Sequence, residues 1–312
     1  MKLLISRRLP ERNMAEAATR FDVTCRDTTQ PMSHDECVDA LGAYDLIIPT
    51  LGDAFTADTF AAVPNPRTKL LANFGVGYNH IDVAAAPMPV TNTPGAVTDA
   101  TADIAMTLIL MTARRAGEGE RLVRAGKWEG WHPTQMLGLH VSGKTVAIIG
   151  MGRIGQAIAR RCHFGFGCRI VYANRSEKAV EFPAEQMPRP DALAAADIVV
   201  LATPGGGGTY HLIGADDFAA MRPHAIFVNI SRGDVVDEAA LIAALETGAI
   251  AGAGLDVYEH EPVVPDALKA MENVTLLPHL GTAALEVREA MADMALANCI
   301  ALAEGRPLPN PV

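Results

Sequence analysis

The sequence lacks several features that would assign it to a particular class of protein. Its five cysteines form no C-x-x-C pair (Cys25, Cys37, Cys162, Cys168 and Cys299), and this odd, scattered set favours reduced thiols in a cytoplasmic protein. No basic patch stands out, because 26 basic residues are mixed among 36 acidic ones and the net charge is −10. We therefore do not expect nucleic-acid binding, and we predict no metal site.

A long hydrophobic run is also absent. The N-terminal MKLLISRRLP has only a short apolar run before Arg7 and Arg8, which is too short for the core of a signal peptide. The longest apolar helical stretch, IAMTLILMTA at 104–113, is too short to span a bilayer. We expect a soluble protein without a membrane partner, in which 104–113 forms a buried helix. The length of 312 residues favours two domains.

The second half of the chain has the pattern of a parallel sheet with helices between its strands. Its apolar runs are short, rich in Val, Ile and Leu, and do not alternate with polar residues, as expected for strands buried on both faces. They are KTVAIIG (144–150), CRIVYAN (168–174), DIVVLAT (197–203), AIFVNIS (225–231), IAGAGLDV (250–257) and VTLLPH (274–279). A helical segment such as EAALIAALETG (238–248) lies between two of them. This alternation predicts a doubly wound α/β fold.

The first part of the chain shows a weaker version of the same alternation and predicts a smaller α/β domain. Pro94-Gly95 ends its last strand and a helix begins near Thr98, so we expect the chain to cross to the second domain in this region. The predicted boundaries are 1–98 plus 286–312 for one domain and 99–285 for the other, with a C-terminal helix at about 283–304. The first-domain strands are KLLIS (2–6), DVTC (22–25), DLIIP (45–49), KLLANF (69–74) and PVTN (89–92).

A glycine-rich turn follows the strand at 144–150 and opens a helix. Gly150 allows the tight turn, Gly152 lets the backbone approach a pyrophosphate, and Gly155 lets helix and strand pack closely. The helix N-terminus at Arg153 and Ile154 offers free N–H groups and the positive end of the helix dipole to an anion. Because this G-x-G-x-x-G stands between a strand and a helix, it predicts a dinucleotide site and not an ordinary glycine turn.

The next strand lacks the acidic residue that binds the adenosine ribose 2′-hydroxyl in NAD-dependent enzymes. Ala173 and Asn174 stand at that point, followed by Arg175 and Ser176. Arg175 can pair with a 2′-phosphate, and Asn174 and Ser176 can form hydrogen bonds with it. We therefore predict a preference for NADPH; the alternative is a solvated arginine, with NADH still used.

Three residues of complementary chemistry follow successive strands of the second domain. Arg232 comes after AIFVNIS, Glu261 lies in the loop after IAGAGLDV, and His279 ends VTLLPH. Ligands bind at the carboxyl ends of such strands. Reduction of a 2-oxo acid needs a cation for the carboxylate, a proton donor for the carbonyl oxygen, and a partner that keeps this donor charged. Arg232, His279 and Glu261 suit these three roles in turn.

Each of these residues has a structural alternative. Arg232 can pair with Asp234, Glu259 competes for the role of Glu261, and His279 can be a hydrogen-bonded core residue. Their joint placement after successive strands favours the catalytic interpretation.

Along nearly its full length, the chain resembles the D-isomer-specific 2-hydroxyacid dehydrogenase family. Within that family it is most similar to the glyoxylate/hydroxypyruvate reductases, to which NTPGAVTDATAD and the Asn-Arg-Ser after the second strand correspond. The matching motifs, which occur in the family's order, are Asn73-Phe74-Gly75-Val76-Gly77-Tyr78, Asn92-Thr93-Pro94-Gly95, Gly150 to Gly155, Asn229-Ile230-Ser231-Arg232-Gly233, Gly254-Leu255-Asp256-Val257, Glu261-Pro262 and Pro278-His279.

The resemblance implies two Rossmann- or flavodoxin-like lobes with the active-site cleft between them, and a homodimer through the larger domain. It assigns Arg232 to the substrate, Glu261 to the histidine and His279 to acid–base chemistry. It further implies that backbone N–H groups at Val76 and Gly77 bind the substrate carboxylate, beside Leu51. Cofactor contacts are implied at Asp256, which would meet the nicotinamide carboxamide, and at Thr203, Pro204 and Gly281.

The resemblance does not decide the role of two tryptophans and of one glycine-rich loop. Trp128 and Trp131 stand where such reductases send an aromatic side chain into a partner subunit's pocket, although packing between helix and loop explains them equally well. The four glycines at Gly205–Gly208 replace larger polar residues of most relatives and predict a flexible loop.

We expect an NADPH-preferring reductase of small 2-oxo acids, glyoxylate or hydroxypyruvate, with His279 as the proton donor. One alternative is an NAD(H)-dependent enzyme for another 2-oxo acid. A second is a dinucleotide-sensing binding protein of the same family, against which the chain lacks low-complexity tails and a basic face. A third is a methyltransferase, in which the Arg, Glu and His residues would have no purpose.

Overall fold

The chain divides into two compact units in a computed structural model that describes all 312 residues. Unit 1 is Met1–Val97 with Thr282–Val312, and unit 2 is Thr98–Gly281. Each unit contains one parallel sheet with helices on both faces. The predicted fold class, an α/β protein built on two doubly wound parallel sheets, is confirmed.

Unit 1 is built on a five-stranded sheet of strand order β2-β1-β3-β4-β5, which is the flavodoxin-like order. Its strands are β1 (Lys2–Ile5), β2 (Asp22–Cys25), β3 (Leu46–Ile48), β4 (Leu70–Ala72) and β5 (Val90–Thr91). Its helices are α1 (Glu11–Arg20), α2 (His34–Ala43), α3 (Ala57–Ala61) and the C-terminal α11 (Leu285–Ala303). The C-terminal helix packs against α1 and β4, so the end of the chain completes this unit.

Unit 2 is built on a seven-stranded sheet of order β12-β11-β10-β9-β6-β7-β8, which is the Rossmann order extended by one strand. The strands are β6 (Thr145–Ile149), β7 (Arg169–Ala173), β8 (Ala184–Gln186), β9 (Ile198–Leu201), β10 (Ile226–Asn229), β11 (Gly252–Leu255) and β12 (Val274–Leu276). The helices are α4 (Thr98–Ala113), α5 (Ala116–Arg124), α6 (Arg153–Phe166), α7 (Arg189–Ala195), α8 (Ala215–Ala220), α9 (Glu238–Glu246) and α10 (Asp266–Ala270).

Alternate residues of each central strand enter different cores. Leu3 and Ile5 of β1 face one core and Leu4 faces the other. Ile149 of β6 likewise faces one core of unit 2, whereas Ile148 faces the opposite one. Because both faces are covered, these strands are apolar at every position after their first residue, which explains their lack of alternation in the sequence.

The apolar stretch at 104–113 lies within α4, whose residues pack against the sheet of unit 2. The structure contains no helix with the length and hydrophobicity needed to cross a membrane. One strand, β8, was not predicted. Its sequence is Ala-Glu-Gln and its residues are largely exposed at the sheet edge, so it carries no apolar pattern from which a strand could be inferred.

Candidate active site

The glycine-rich turn at the end of β6 is built by close backbone packing. Gly150 has φ +102°, and a Cβ there would lie 2.8 Å from the backbone of Ala202 and Thr203. A Cβ at Gly155 would lie 2.1 Å from the carbonyl oxygen of Gly150. By contrast, no atom beyond the adjoining residues lies within 4 Å of the position a Cβ would take at Gly152. The turn therefore requires glycine at its first and third positions and leaves open space at the second.

Helix α6 begins at this turn without a side-chain cap. Its first backbone hydrogen bond is donated by Gln156 to Gly152, so the N–H groups of Arg153, Ile154 and Gly155 have no acceptor in the protein. Consecutive unpaired N–H groups at the positive end of a helix dipole bind phosphate groups well. Together with the open space at Gly152, this turn fits the pyrophosphate of a dinucleotide.

Asn174, at the end of β7, forms a hydrogen bond with the same glycine-rich turn. Its side-chain oxygen accepts a hydrogen bond from the Met151 N–H at 3.2 Å, and its amide donates to the Ser176 carbonyl at 2.7 Å. Arg175 and Ser176 are exposed, and the Arg175 guanidinium has no ion-pair partner in the protein. A free cation thus follows β7, at the position where NAD-dependent enzymes carry an acid.

The loop after β9 contains the four glycines and is connected by hydrogen bonds of Thr209 and Ser231. The Thr209 hydroxyl donates to the carbonyl oxygens of Pro204 and Gly206 at 2.9 and 3.0 Å, and a short 3-10 turn spans Gly207–Thr209. Ser231 donates its hydroxyl proton to the carbonyl oxygen of Thr203. The Thr203 hydroxyl itself is buried and has no partner in the protein. It is a polar group available to a ligand at this edge of the sheet.

Arg232 follows β10 in a turn shaped by Asn229. The Asn229 amide donates to the Arg232 carbonyl at 3.1 Å, and its oxygen accepts from the Ser231 N–H at 2.9 Å. No ion pair forms between Arg232 and Asp234, so the structural alternative for this arginine is not realised. Burial lowers the pKa of Arg232, and the charges of Glu261 and Asp234 oppose that shift. A partly desolvated guanidinium without a close carboxylate is suited to bind an anion.

The loops that carry Arg232 and Glu261 pack directly against each other. A Cβ at Gly233 would lie 1.8 Å from the carbonyl carbon of Tyr258 and 2.3 Å from the N atom of Glu259. Only glycine therefore fits after Arg232, and the backbone of one loop fixes the position of the other.

Glu261 and His279 form a hydrogen-bonded pair, with 2.8 Å between Oε2 and Nδ1. The second carboxylate oxygen of Glu261 accepts from the Tyr258 N–H at 3.1 Å. Burial raises the pKa of Glu261, but the hydrogen bond and charge of His279, the Tyr258 N–H and the charge of Arg232 outweigh this, so the pKa lies below its ordinary value. An ionised Glu261 orients the imidazole ring so that Nε2 is free for another partner.

The competing acid, Glu259, has a different partner. Its Oε1 lies 2.8 Å from Nε2 of His211, whose ring stacks on Tyr210. The two acids of this loop thus bind two different histidines, a distinction that the sequence left open. No motif indicated His211, which lies in the loop between β9 and α8.

Asp256 holds the turn that follows His279. Its carboxylate oxygens accept from the N–H groups of Leu280 and Gly281 at 2.6 and 2.8 Å. The His279 N–H donates to the Asp256 carbonyl at 2.9 Å, and His279 itself has φ +54°. Burial raises the pKa of Asp256, and the hydrogen bond from Leu280 opposes this rise. The histidine is therefore held in an uncommon backbone conformation by the residue expected to meet the nicotinamide.

The remaining predicted site residues lie in unit 1, in loops at the carboxyl ends of its strands. Leu51 follows β3, and Val76 and Gly77 follow β4. The side chains of Leu51 and Val76 are exposed. β3 borders the point where the strand order reverses, between β1 and β3, and β4 is its other neighbour. Such a point of reversal is a position at which α/β proteins bind ligands.

A family model and full-length relatives match the chain and point to the same family. Residues 106–281 match the family model described as "D-isomer specific 2-hydroxyacid dehydrogenase, NAD binding domain". The chain is 42% identical to a glyoxylate reductase of Thermococcus onnurineus, over 99% of this chain and 95% of the relative, and 40% identical to the glyoxylate reductase of Pyrococcus furiosus, over 99% and 94%.

Solved structures agree with this match. A putative D-isomer-specific 2-hydroxyacid dehydrogenase from Polaromonas superposes with a TM-score of 0.93 at 35% identity, covering 100% of this chain and 99% of that one. An NADPH-dependent glyoxylate/hydroxypyruvate reductase from Sinorhizobium meliloti, in complex with NADP and malonate, superposes with a TM-score of 0.87 at 34% identity, covering 100% and 96%.

Proposed function

The chain belongs to the D-isomer-specific 2-hydroxyacid dehydrogenase family and is an NAD(P)-dependent oxidoreductase, and from this premise we propose that it reduces glyoxylate and hydroxypyruvate with a preference for NADPH. Its similarity to proteins named glyoxylate reductase supports the substrate class. The free Arg175 supports the cofactor preference.

Unit 2 would hold the dinucleotide at its glycine turn, and the chemistry that a reduced nicotinamide would supply there is a hydride for the carbonyl carbon of the substrate. Arg232 binds the substrate carboxylate by a bidentate pair of hydrogen bonds. His279 donates a proton from Nε2 to the carbonyl oxygen, and Glu261 stabilises the charged ring and fixes its orientation. The observation that carries this proposal is the 2.8 Å contact between Glu261 and His279, in a loop packed directly against the turn of Arg232.

The cofactor contacts are assigned to unit 2. The N–H groups of Arg153, Ile154 and Gly155 would bind the pyrophosphate beside the open space at Gly152, because they are unpaired at the start of α6. Arg175 and Ser176 would bind the 2′-phosphate. The side chain of Asn174 acts mainly to join these residues to the glycine turn, since both of its polar atoms already have partners there.

Unit 1 is assigned to substrate binding, through Leu51, Val76 and Gly77, and unit 2 to dinucleotide binding. We also propose that the protein is a homodimer through unit 2. The stretch between α5 and β6 exposes Trp128, Trp131 and Leu137, with Trp131 79% exposed, and large exposed apolar side chains of this kind favour a protein partner. Light scattering should give twice the 33.0 kDa monomer mass.

The test is a panel of initial rates with glyoxylate, hydroxypyruvate, pyruvate and phenylpyruvate, each with NADPH and with NADH. We expect the highest kcat/KM with glyoxylate or hydroxypyruvate and NADPH. A preference for NADH would reject the role of Arg175 and retain the dehydrogenase. Dinucleotide binding without turnover of any pair would instead favour a sensor.

A further inference from the structure

In the loop that follows β4, the backbone carbonyl oxygens have hydrogen-bond partners in the protein, whereas several backbone N–H groups do not. Its three successive carbonyl oxygens, at Gly75, Val76 and Gly77, each accept at least one hydrogen bond from the protein. A side-chain amide donates to each of them: Asn73 to Gly75 and Gly77, and Asn92 to Val76, all at 3.0 Å. The Gly75 oxygen also accepts from the backbone N–H of Thr93 at 3.1 Å.

The N–H groups of the same loop have no such partners. No protein group accepts from the N–H of Val76, Gly77 or Tyr78. Because the carbonyl oxygens point toward the asparagine amides, the unpaired N–H groups are available to bind an anion. Asn73 makes two of the four hydrogen bonds to these carbonyl oxygens, and its side chain is buried.

We propose that Asn73 is the positioning residue of the loop that receives the substrate carboxylate, and that His80 fixes the orientation of Asn73. This inference rests on the proposed function, which places the carboxylate of the 2-oxo acid at Val76 and Gly77. Asn73 does not touch the substrate. By donating to two carbonyl oxygens of the loop, it keeps those oxygens directed away from the substrate carboxylate. The adjoining N–H groups can then point toward that carboxylate.

The hydrogen bonds determine which way the Asn73 amide is turned. Because Nδ2 donates to two carbonyl oxygens, the side-chain oxygen must be the acceptor for Nε2 of His80, at 3.0 Å. Nε2 of His80 therefore carries a proton. A side chain at position 80 that cannot donate would leave the buried Asn73 oxygen without this partner.

Asn73→Asp is the sharpest test, because it preserves shape and replaces the donor with a carboxylate oxygen facing two carbonyl oxygens. The same substitution at Asn79, which is exposed and makes no hydrogen bond in the protein, adds the same charge to the same loop. Asn79→Asp therefore controls for simple repulsion of an anionic substrate.

We expect Asn73→Asp to raise the KM for glyoxylate by at least about tenfold, as for the loss of two buried hydrogen bonds. The inhibition constant of oxamate, an unreactive mimic of a 2-oxo acid, should rise by a similar factor. The Kd for NADPH should stay unchanged, and kcat should fall less than KM rises. Asn79→Asp should change the KM by less than about threefold, which is the range of weak surface electrostatics.

A second pair of variants covers the case in which Asn73→Asp does not fold. His80→Gln keeps a donor for the Asn73 oxygen, whereas His80→Phe removes it. We expect the KM to rise in His80→Phe and to be largely restored in His80→Gln.

Equal KM values in Asn73→Asp and Asn79→Asp, or in His80→Phe and His80→Gln, would overturn the proposal. A fall in kcat alone, with KM and the oxamate constant unchanged, would overturn it as well. Failure of the proposed function is a separate result, because the unsubstituted protein would then show no rate with any 2-oxo acid.

Discussion

Replacing Glu261 by Gln removes the charge that stabilises a protonated His279 and keeps the shape of the side chain. The pair is separated by 2.8 Å, and each side chain is about 30% exposed (31% for His279 and 29% for Glu261). A hydrogen bond between charged groups contributes about 1.5–3 kcal/mol. Since about 1.4 kcal/mol corresponds to a factor of ten, kcat/KM for reduction should fall about 10- to 150-fold.

The assay is kcat/KM for glyoxylate with NADPH between pH 5 and 9, together with the Kd for NADPH. Because the pKa of Glu261 is lowered in the folded protein, the carboxylate is ionised over this whole range. NADPH binding should be unchanged.

The matched control is Glu259→Gln, because this acid binds His211 and not His279. It should change kcat/KM only a few-fold. If Glu261→Gln retains more than about a third of the original kcat/KM, the charge of Glu261 does not support the proton donor and the reasoning is refuted.

Three further substitutions test separate parts of the account. His279→Ala should abolish turnover while leaving the Kd for NADPH unchanged, measured by fluorescence titration; near-normal rates would contradict its role as proton donor. Arg175→Ala should raise the KM for NADPH by about 10-fold or more and leave that for NADH nearly unchanged, as for loss of one charge-assisted contact, whereas equal losses would rule out the 2′-phosphate contact. Asp197→Asn should lower the free energy of unfolding at pH 7 by about 1–3 kcal/mol in urea titrations. Burial opposes ionisation of Asp197, but hydrogen bonds with a histidine and a backbone N–H keep its pKa below the ordinary value, so this stabilisation should be present at neutral pH and disappear as the pH falls through that lowered pKa.

The fold was predictable from the sequence because both sheets are covered on both faces. Continuous apolar runs such as 198–201 and 226–228 then mark strands directly. The edge strand at 184–186 was missed for the converse reason, since two of its three residues are exposed and polar. A strand of this kind is specified by its neighbour β7, and not by its own pattern.

For the candidate site, the sequence predicted which residues belong to it but not which side chains contact each other. Their order after successive strands indicated Arg232, Glu261 and His279, but could not decide between Glu259 and Glu261, because both acids lie in one short loop. The decision depends on which histidine each acid reaches, and His211 comes from a loop 48 residues earlier in the chain. The role that we propose for Asn73 could not be inferred from the sequence either, because it depends on contacts with backbone carbonyl oxygens.

Glycolate formation tests the central claim most directly. The protein would be mixed with glyoxylate and NADPH, and the glycolate formed would be compared with the NADPH consumed. We expect one glycolate for each NADPH oxidised, and no glycolate from the His279→Ala variant. Bound NADPH without any glycolate, or glycolate formed equally well by that variant, would contradict it.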